Sequence, residues 1–143
     1  MRSHAMELAR AFPVSIKGVL LEGDRAVLLE NERLEWELPG GRLERGESPP
    51  TCLAREFAEE LDMQVAIGAI LDSWVYEVMP QREVLIVTYG VRRLNGRAMR
   101  VSGEHRRFGL FALGELDALA MPEGYRRSIR AWAAQCGGGV TAR

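Results

Sequence analysis

The stretch GRLERGESPPTCLAREFAEELDM, residues 41–63, crowds acidic side chains onto a segment with the marks of a helix. Ser48 is a favourable N-cap and Pro49 suits the first helical position, so we predict a helix over residues 49–61. Glu56, Glu59 and Glu60 fall within five consecutive positions of it. Like charges this close together repel one another, so the segment raises the question of what compensates them.

The spacing of the three Glu residues bears on that question. At about 100° per residue, they share an arc of about 100° on the helical wheel, next to an apolar stripe. The members of this stripe are Leu53, Phe57 and Leu61. The simplest interpretation is a solvated acidic face.

Two penalties argue against a merely solvated face. Glu56 and Glu60 are like charges at i, i+4, which costs roughly 0.2–0.5 kcal/mol. Glu59 and Glu60 also lie in the last turn, where the helix dipole disfavours anions. A hard cation reverses both effects, because carboxylate oxygens are suitable ligands for Mg²⁺ or Mn²⁺. We therefore expect a divalent cation between these side chains.

The whole stretch resembles the Nudix box. Gly41 is followed after five residues by Glu47, and after seven more by Arg55-Glu56-Phe57-Ala58-Glu59-Glu60-Leu61-Asp62-Met63, which matches six of the seven fixed positions of the box. The departure is Asp62, where the box has Gly. Gly would close the helix in a left-handed conformation that Asp tolerates less well, at a cost of roughly 1 kcal/mol.

The resemblance implies an α/β fold, the Nudix-type α/β/α sandwich around a mixed β-sheet. It also implies hydrolysis of a pyrophosphate bond in a nucleoside diphosphate derivative, with Mg²⁺ as cofactor and Mn²⁺ as its alternative. Matched position by position, Glu56, Glu59 and Glu60 are metal ligands, and the Gly40 carbonyl is a backbone ligand. Glu59 is the first choice of catalytic base and Arg55 orients it, while Glu47 braces the loop or a metal-bound water.

Family members often take a further carboxylate from a later loop, and SGEHRRF places Glu104 in such a position. Glu104 is therefore a candidate metal ligand and an alternative catalytic base. An ordinary exposed loop Glu is the competing interpretation. His105 could bind phosphate or donate a proton, although a lone surface His more often does neither.

The rest of the chain supplies strands on both sides of the predicted helix. Apolar and β-branched runs predict strands over residues 14–21, 25–31, 36–39, 65–78, 82–94 and 106–113. Asn95-Gly96 predicts a hairpin turn. We expect a short helix near 114–120 and a last helix over about 123–135. Strands and helices in this mixed order also indicate an α/β sandwich, before any resemblance is considered.

Composition sets the wider limits. The 143 residues suit one domain, with residues 1–10 and 137–143 expected to be flexible. A net charge of −1 gives no support for binding a nucleic-acid polymer. No apolar run approaches the roughly 18 residues of a membrane helix, and no apolar signal-peptide core is present at the N-terminus. With only Cys52 and Cys136, we expect a reduced cytoplasmic protein.

Other residues leave more than one interpretation open. Lys17 is the only Lys, all other basic residues being Arg, which suits phosphate binding or simply reflects codon usage. Four aromatic residues could stack on a nucleobase, but each also fits a core or sheet position: Phe12, Trp36, Trp74 and Tyr76.

The sequence favours a small-molecule nucleotide partner without choosing among substrates. ADP-ribose-like sugar nucleotides and (d)NTPs are equally well supported as substrates. A non-catalytic ligand sensor on the same fold is the alternative function, although such modules tend to lose carboxylates that this chain retains. A prenyl diphosphate isomerase is less well supported, because its additional catalytic Cys and Glu arrangement is not evident. Whether the chain acts as a monomer or a homodimer is left open.

Overall fold

The computed structural model describes residues 11–94 and 107–141, with side chains described as far as residue 137. These described residues form seven strands, two α-helices and one 3₁₀ helix. In chain order these are β1 (Val14–Glu22), β2 (Arg25–Glu30), β3 (Trp36–Glu37), β4 (Gly40–Arg42), α1 (Pro49–Leu61), β5 (Val65–Met79), β6 (Arg82–Arg93), β7 (Arg107–Ala112), the 3₁₀ helix (Leu113–Ala118) and α2 (Glu123–Thr141).

The strands form a mixed sheet around β1. The strand order is β3-β2-β1-β6-β5, with β4 pairing on β1 and β7 on β2. Strands β1 and β6 run parallel, and the other pairs are antiparallel. Along its other edge, β1 pairs first with β4 (Lys17 opposite Gly40) and later with β2 (Leu21 opposite Ala26). Strand β1 therefore brings the Gly40-Gly41 segment to the middle of the sheet.

Each face of the sheet is covered by one helix, because apolar residues alternate along β1. Ile16 and Leu20 point to α1, while Val19 points to α2. The α1 face buries the predicted apolar stripe, all of whose members are fully buried: Leu53, Phe57 and Leu61. The α2 face packs a second core that includes Ile86, Ile129 and Trp132. The predicted α/β/α sandwich is confirmed.

The ends of α1 follow the sequence signals. The Ser48 hydroxyl accepts a hydrogen bond from the Thr51 N–H at 3.3 Å, and Pro49 occupies the first turn. Asp62 adopts the left-handed conformation, with φ 52° and ψ 46°, and its N–H donates to Ala58 O at 3.1 Å. Asp62 thus makes the left-handed turn that ends the helix, at the position where the box has Gly.

Several predicted boundaries are wrong. The strand predicted over residues 36–39 covers only Trp36–Glu37, and the chain then turns at Gly40 into a separate strand, β4, that pairs with β1. The short helix expected near 114–120 is a 3₁₀ helix that begins at Leu113 and ends at Ala118. Helix α2 runs to Thr141, past the end predicted near residue 135. Glycine disfavours helix but does not forbid it.

Two further predictions lie outside the described residues: the flexible N-terminus over 1–10 and the Asn95-Gly96 turn. Among the helices in the described part of the chain, none has the length and apolar character needed to cross a membrane.

Candidate functional site

The β4 segment and the last turns of α1 form the centre of the candidate site. Glu60 is only 6% exposed, and its Oε1 accepts a hydrogen bond from the Gly40 N–H at 2.9 Å. Gly41 lies against Glu56, where an added Cβ would overlap the carboxylate. Gly40 has φ +143°, and a Cβ there would collide with the Ile16 carbonyl. Both glycines are needed because the sheet and the acidic edge of α1 approach so closely.

Arg55 connects the carboxylates around this centre. Its Nε donates to Glu47 Oε2 at 2.6 Å and its Nη2 to Glu47 Oε1 at 3.0 Å, a bidentate pair. Its Nη1 donates to Glu56 Oε2 at 3.1 Å and to Glu59 Oε1 at 3.2 Å. Glu44 lies farther off, at 3.8 Å. One guanidinium therefore holds the two candidate ligands in place while anchored to the loop before α1.

Glu47 acts as a brace for that loop. Its Oε1 also accepts a hydrogen bond from the Glu44 N–H at 3.0 Å. The hydrogen bonds from the Arg55 side chain, followed by that from the Glu44 backbone, lower the pKa of Glu47 to about 2. The hydrogen bonds to Glu47 raise the pKa of Arg55 in turn. Glu47 is therefore ionised at neutral pH and holds Arg55, as the first of its two predicted roles requires.

The three helical carboxylates differ in environment. Glu60 is buried against the backbone, and the Glu56 side chain is 16% exposed. Burial raises the pKa of Glu56, an effect partly opposed by Arg55. The Glu59 side chain is 60% exposed. Glu59 is thus the carboxylate with most freedom to reach a water or substrate beside α1, whereas the other two are fixed in place.

The donor set fits a hard divalent cation, although not in its present side-chain arrangement. In residues 11–94 and 107–137, no three acidic, His or Cys side chains converge as a ready metal cluster. Glu56 and Glu59 nevertheless each accept a hydrogen bond from the same Arg55 nitrogen, so one oxygen of each carboxylate faces the same point beside α1. Their oxygens are ligands of the kind that Mg²⁺ requires.

The structure brings together five of the predicted site residues: Gly40, Arg55, Glu56, Glu59 and Glu60. Glu104 and His105 lie outside the described residues, so their predicted roles stay predictions. Whether the Gly40 carbonyl serves as a ligand is likewise a prediction, since only its N–H has a described role here.

The sequence analysis singled out Lys17 but did not predict that it pairs with Glu37 on the opposite face of the sheet. Lys17 is 8% exposed, and its Nζ lies 3.8 Å from Glu37 Oε2. Burial lowers the pKa of Lys17, but the charges of Tyr125, Glu37, Glu60 and Glu56 outweigh burial and raise it overall. The available signal was that this single Lys interrupts an apolar strand.

The aromatic candidates divide into two kinds. Trp36 packs edge-on against Phe111 at 4.8 Å between ring centroids, and Trp74 packs similarly on Tyr125 at 5.4 Å. Trp36 is therefore a core residue, and the partly buried Trp74 packs against the same core. Tyr76 and Phe12, by contrast, each line a cavity on the α2 face.

Comparison with known proteins agrees with this geometry. The model of the NUDIX domain matches residues 11–132. A Mycobacterium tuberculosis protein named for 8-oxo-dGTP diphosphatase activity is 31% identical over 88 residues, covering 58% of this chain and 62% of that protein. The chain therefore spans less than two thirds of the length of this relative.

Two further matches cover more of both chains. A MutT-like protein of Streptomyces ambofaciens is 32% identical over 119 residues, covering 74% of this chain and 76% of that protein. The crystal structure of a MutT NUDIX hydrolase from Burkholderia pseudomallei superposes with a TM-score of 0.75 at 21% identity, covering 85% of this chain and 98% of that one. At this identity the structure supports the fold alone. The domain match over most of the chain, together with the Glu56-Glu59-Glu60 edge, shows that the protein belongs to the NUDIX family.

Proposed function

We propose that the chain is a hydrolase that cleaves a pyrophosphate bond in a nucleoside diphosphate derivative with the help of Mg²⁺. The observation that carries this proposal is the joint placement of Glu56 and Glu59 on one Arg55 guanidinium, beside the buried Glu60. A purely structural acidic face would leave these side chains solvated and apart. Here they are gathered at a glycine-lined edge of the sheet.

The cation-binding residues in this proposal are Glu56, Glu59, Glu60 and the Gly40 carbonyl, with Glu104 as a further candidate. Mg²⁺ is the expected ion, and Mn²⁺ could replace it, because both accept carboxylate oxygens. When bound, the ion supplies charge that neutralises pyrophosphate oxygens and acidifies water. Because Glu60 is held by the Gly40 N–H, its oxygens are already oriented before any ion arrives.

Glu59 is the proposed general base. Its exposed carboxylate can accept a proton from the attacking water as the new P–O bond forms and the bridging P–O bond breaks. Arg55 orients Glu59 through the 3.2 Å hydrogen bond and is itself held by Glu47, so it acts as a positioning residue. Glu104 is the alternative base.

The substrate is a small nucleotide, and (d)NTPs are now favoured over ADP-ribose-like sugar nucleotides. The supporting observation is the name of the Mycobacterium tuberculosis relative, which specifies 8-oxo-dGTP. We also propose that the protein acts in the cytoplasm, where such nucleotides are found. The proposal needs no partner beyond the substrate and the ion.

The test is turnover of a nucleotide panel containing (d)NTPs and ADP-ribose, with Mg²⁺ and in ¹⁸O-labelled water. Mass spectrometry of the products identifies the leaving group and the phosphorus that gains the label. We expect a nucleoside monophosphate together with the other half of the substrate, which is pyrophosphate from a (d)NTP and ribose phosphate from ADP-ribose. EDTA should abolish the reaction. Nucleotide binding without any product at saturating Mg²⁺ would overturn the proposal and support the non-catalytic sensor instead.

A further inference from the structure

A small cavity with charged walls lies on the α2 face, across the sheet from the acidic edge of α1. Its volume is about 200 Å³. Whole ligand pockets usually measure roughly 300–1,000 Å³, so this cavity suits only one group of a larger ligand. Arg42 also lines a neighbouring cavity of about 450 Å³, which leaves room for the rest of the molecule.

Positive charge is in excess on the walls of the small cavity. Three cationic side chains line it, and they face one carboxylate, that of Glu37. The cations are Lys17, Arg33 and Arg42. Three positive charges against one negative charge leave two positive charges that the lining itself does not balance.

Lys17 is the cation that the carboxylate balances. Its Nζ lies 3.8 Å from Glu37 Oε2, and Lys17 is 8% exposed. The Asn31 Nδ2 donates to Glu37 Oε1 at 3.2 Å, so each oxygen of the carboxylate already has a partner. Glu37 therefore neutralises Lys17 and leaves the excess charge on the two guanidinium groups.

The two guanidinium groups are only weakly compensated. Arg33 Nε lies 3.5 Å from Glu35 Oε1, but these side chains are 40% and 32% exposed, and solvent screens such a surface pair. Arg42 is exposed, and no acidic side chain in the described part of the chain lies within ion-pair distance of it. The cavity can therefore accept a negatively charged group.

A phosphate group matches these walls in charge and in hydrogen bonding. It carries about −1.5 to −2 charges at pH 7, and guanidinium groups bind its oxygens in bidentate fashion. Burial raises the pKa of Tyr125 to about 12, so the phenol on the same wall stays protonated and can donate a hydrogen bond. A neutral base or sugar in this cavity would leave the excess positive charge unbalanced.

The cavity and the acidic edge lie on the two sides of β4. Lys17 lies opposite Gly40 in the β1–β4 pairing, and the Gly40 N–H donates to Glu60. Gly41 lies against Glu56, and Arg42 is the next residue of β4. A substrate whose pyrophosphate lies at the acidic edge can therefore direct another of its groups around β4 into the cavity.

We propose that the cavity between β1, β3 and α2 binds a phosphate group of the substrate that lies outside the hydrolysed bond. This inference rests on the proposed function, because it assigns a further group of the same substrate. The phosphate is either the end of a triphosphate or an ester on a ribose, and both present the same charged oxygens. Arg33 and Arg42 are the specificity-determining residues.

The test compares kcat/KM within two pairs of substrates that differ by one phosphate group. ADP-ribose and its 2′-phosphate report on a ribose ester, and dADP and dATP report on the end of a triphosphate. We expect a preference of about 10-fold or more for the additional phosphate in at least one pair, since hydrogen bonds to charged groups are the strong ones. That preference should fall by about 10-fold in the double variant Arg33→Gln, Arg42→Gln. The pair in which it falls identifies the source of the phosphate.

The matched control is the double variant Arg25→Gln, Arg92→Gln, which removes the same charge from two exposed residues outside the cavity. Its preference should equal that of the parent. Each preference is a ratio within one preparation, so it does not depend on the fraction of variant that is folded.

Three results would overturn the phosphate site while the proposed hydrolysis stands. The parent could hydrolyse both members of each pair equally. The preference could survive in the Arg33→Gln, Arg42→Gln variant. The control variant could lose the preference to the same extent, which would indicate an effect of overall charge instead of a site.

If no nucleotide is hydrolysed, the proposed function fails, and binding decides the fate of the phosphate site. Calorimetric titration with the same four compounds then measures selectivity without turnover. Tighter binding of the compound with the additional phosphate, lost in the Arg33→Gln, Arg42→Gln variant and kept in the control, supports the site. Equal binding within both pairs, or binding of none of the compounds, overturns it.

Discussion

The two faces of the sheet carry their charges in different ways. On the α1 face, the carboxylates of Glu56 and Glu59 are gathered by one Arg55 side chain at the margin of an apolar core. On the α2 face, Lys17 and Glu37 lie inside a cavity walled partly by aromatic side chains. The first set comes from one helix, and the second from separate strands.

Replacement of the proposed base should have the largest effect. We expect Glu59→Gln to lower kcat by at least about 10²-fold, because the amide cannot accept the proton from water. Stability should change by less than about 0.5 kcal/mol, since the side chain is mostly exposed. Glu44→Gln is the control, because Glu44 also faces Arg55, at 3.8 Å. Unchanged turnover in Glu59→Gln would remove this residue from catalysis.

A Cβ at Gly41 should disturb the same face by displacing a carboxylate. In Gly41→Ala the methyl group overlaps the Glu56 carboxylate, so Glu56 must move. Misplacement on the order of 1 Å costs up to about 10²-fold in rate, and we expect kcat/KM to fall by at least about 10-fold. Gly114→Ala, where a Cβ meets nothing within 4 Å, is the control. Activity equal to the parent in both variants would show that Glu56 need not be held against Gly41.

A Cβ at Gly90 should affect the α2 face through packing instead of chemistry. The methyl group of Gly90→Ala overlaps the Trp132 ring, and overpacking of this kind costs about 1–3 kcal/mol. Urea unfolding measures the loss in free energy of unfolding. Turnover per folded molecule should stay at the parent value. A variant as stable as the parent would mean that Trp132 is packed less tightly against the sheet than described.

The smallest effect should be the pH dependence that Glu47 contributes. Its pKa is about 2 in the folded protein against an ordinary 4.5, so its ionised form stabilises the fold. The sign follows from linkage: this contribution is complete above the ordinary pKa and is lost as pH falls from about 4.5 towards 2. The difference in unfolding free energy between the parent and Glu47→Gln should therefore shrink between pH 7 and pH 3. A difference that is constant with pH would contradict the Arg55–Glu47 pairing.

The same contrast explains what the sequence could predict. The α1 site is contained in residues 41–63, where a fixed spacing places Arg55 and the three Glu residues on one helical edge. The helix caps at Ser48 and Asp62 also lie within or beside this helix, so neighbouring residues are enough to predict them. The separation of β4 from β3 was missed because it depends on pairing with β1 and on the positive φ of Gly40.

The cavity on the α2 face could not be derived by such local rules. Lys17, Glu37 and Tyr125 come together only when β1, β3 and α2 have packed. Their separation in sequence hides the relation between them, and the only hint was a single Lys in an apolar strand. Glu60 lies between these two cases. The helical wheel predicted its place on the acidic edge of α1, but its contact with the Gly40 N–H joins residues far apart in the sequence and could not be predicted.

The central claim is that the acidic edge of α1 binds a divalent cation, and direct binding tests it without any substrate. Titration with Mn²⁺, followed by electron paramagnetic resonance, measures the affinity of the parent protein and of Glu56→Gln and Glu60→Gln. We predict saturable binding to the parent, competition by Mg²⁺, and at least about 10-fold weaker binding in both variants. Binding of Glu44→Gln should equal that of the parent. No binding to the parent, or equal affinity in all four proteins, would contradict the account.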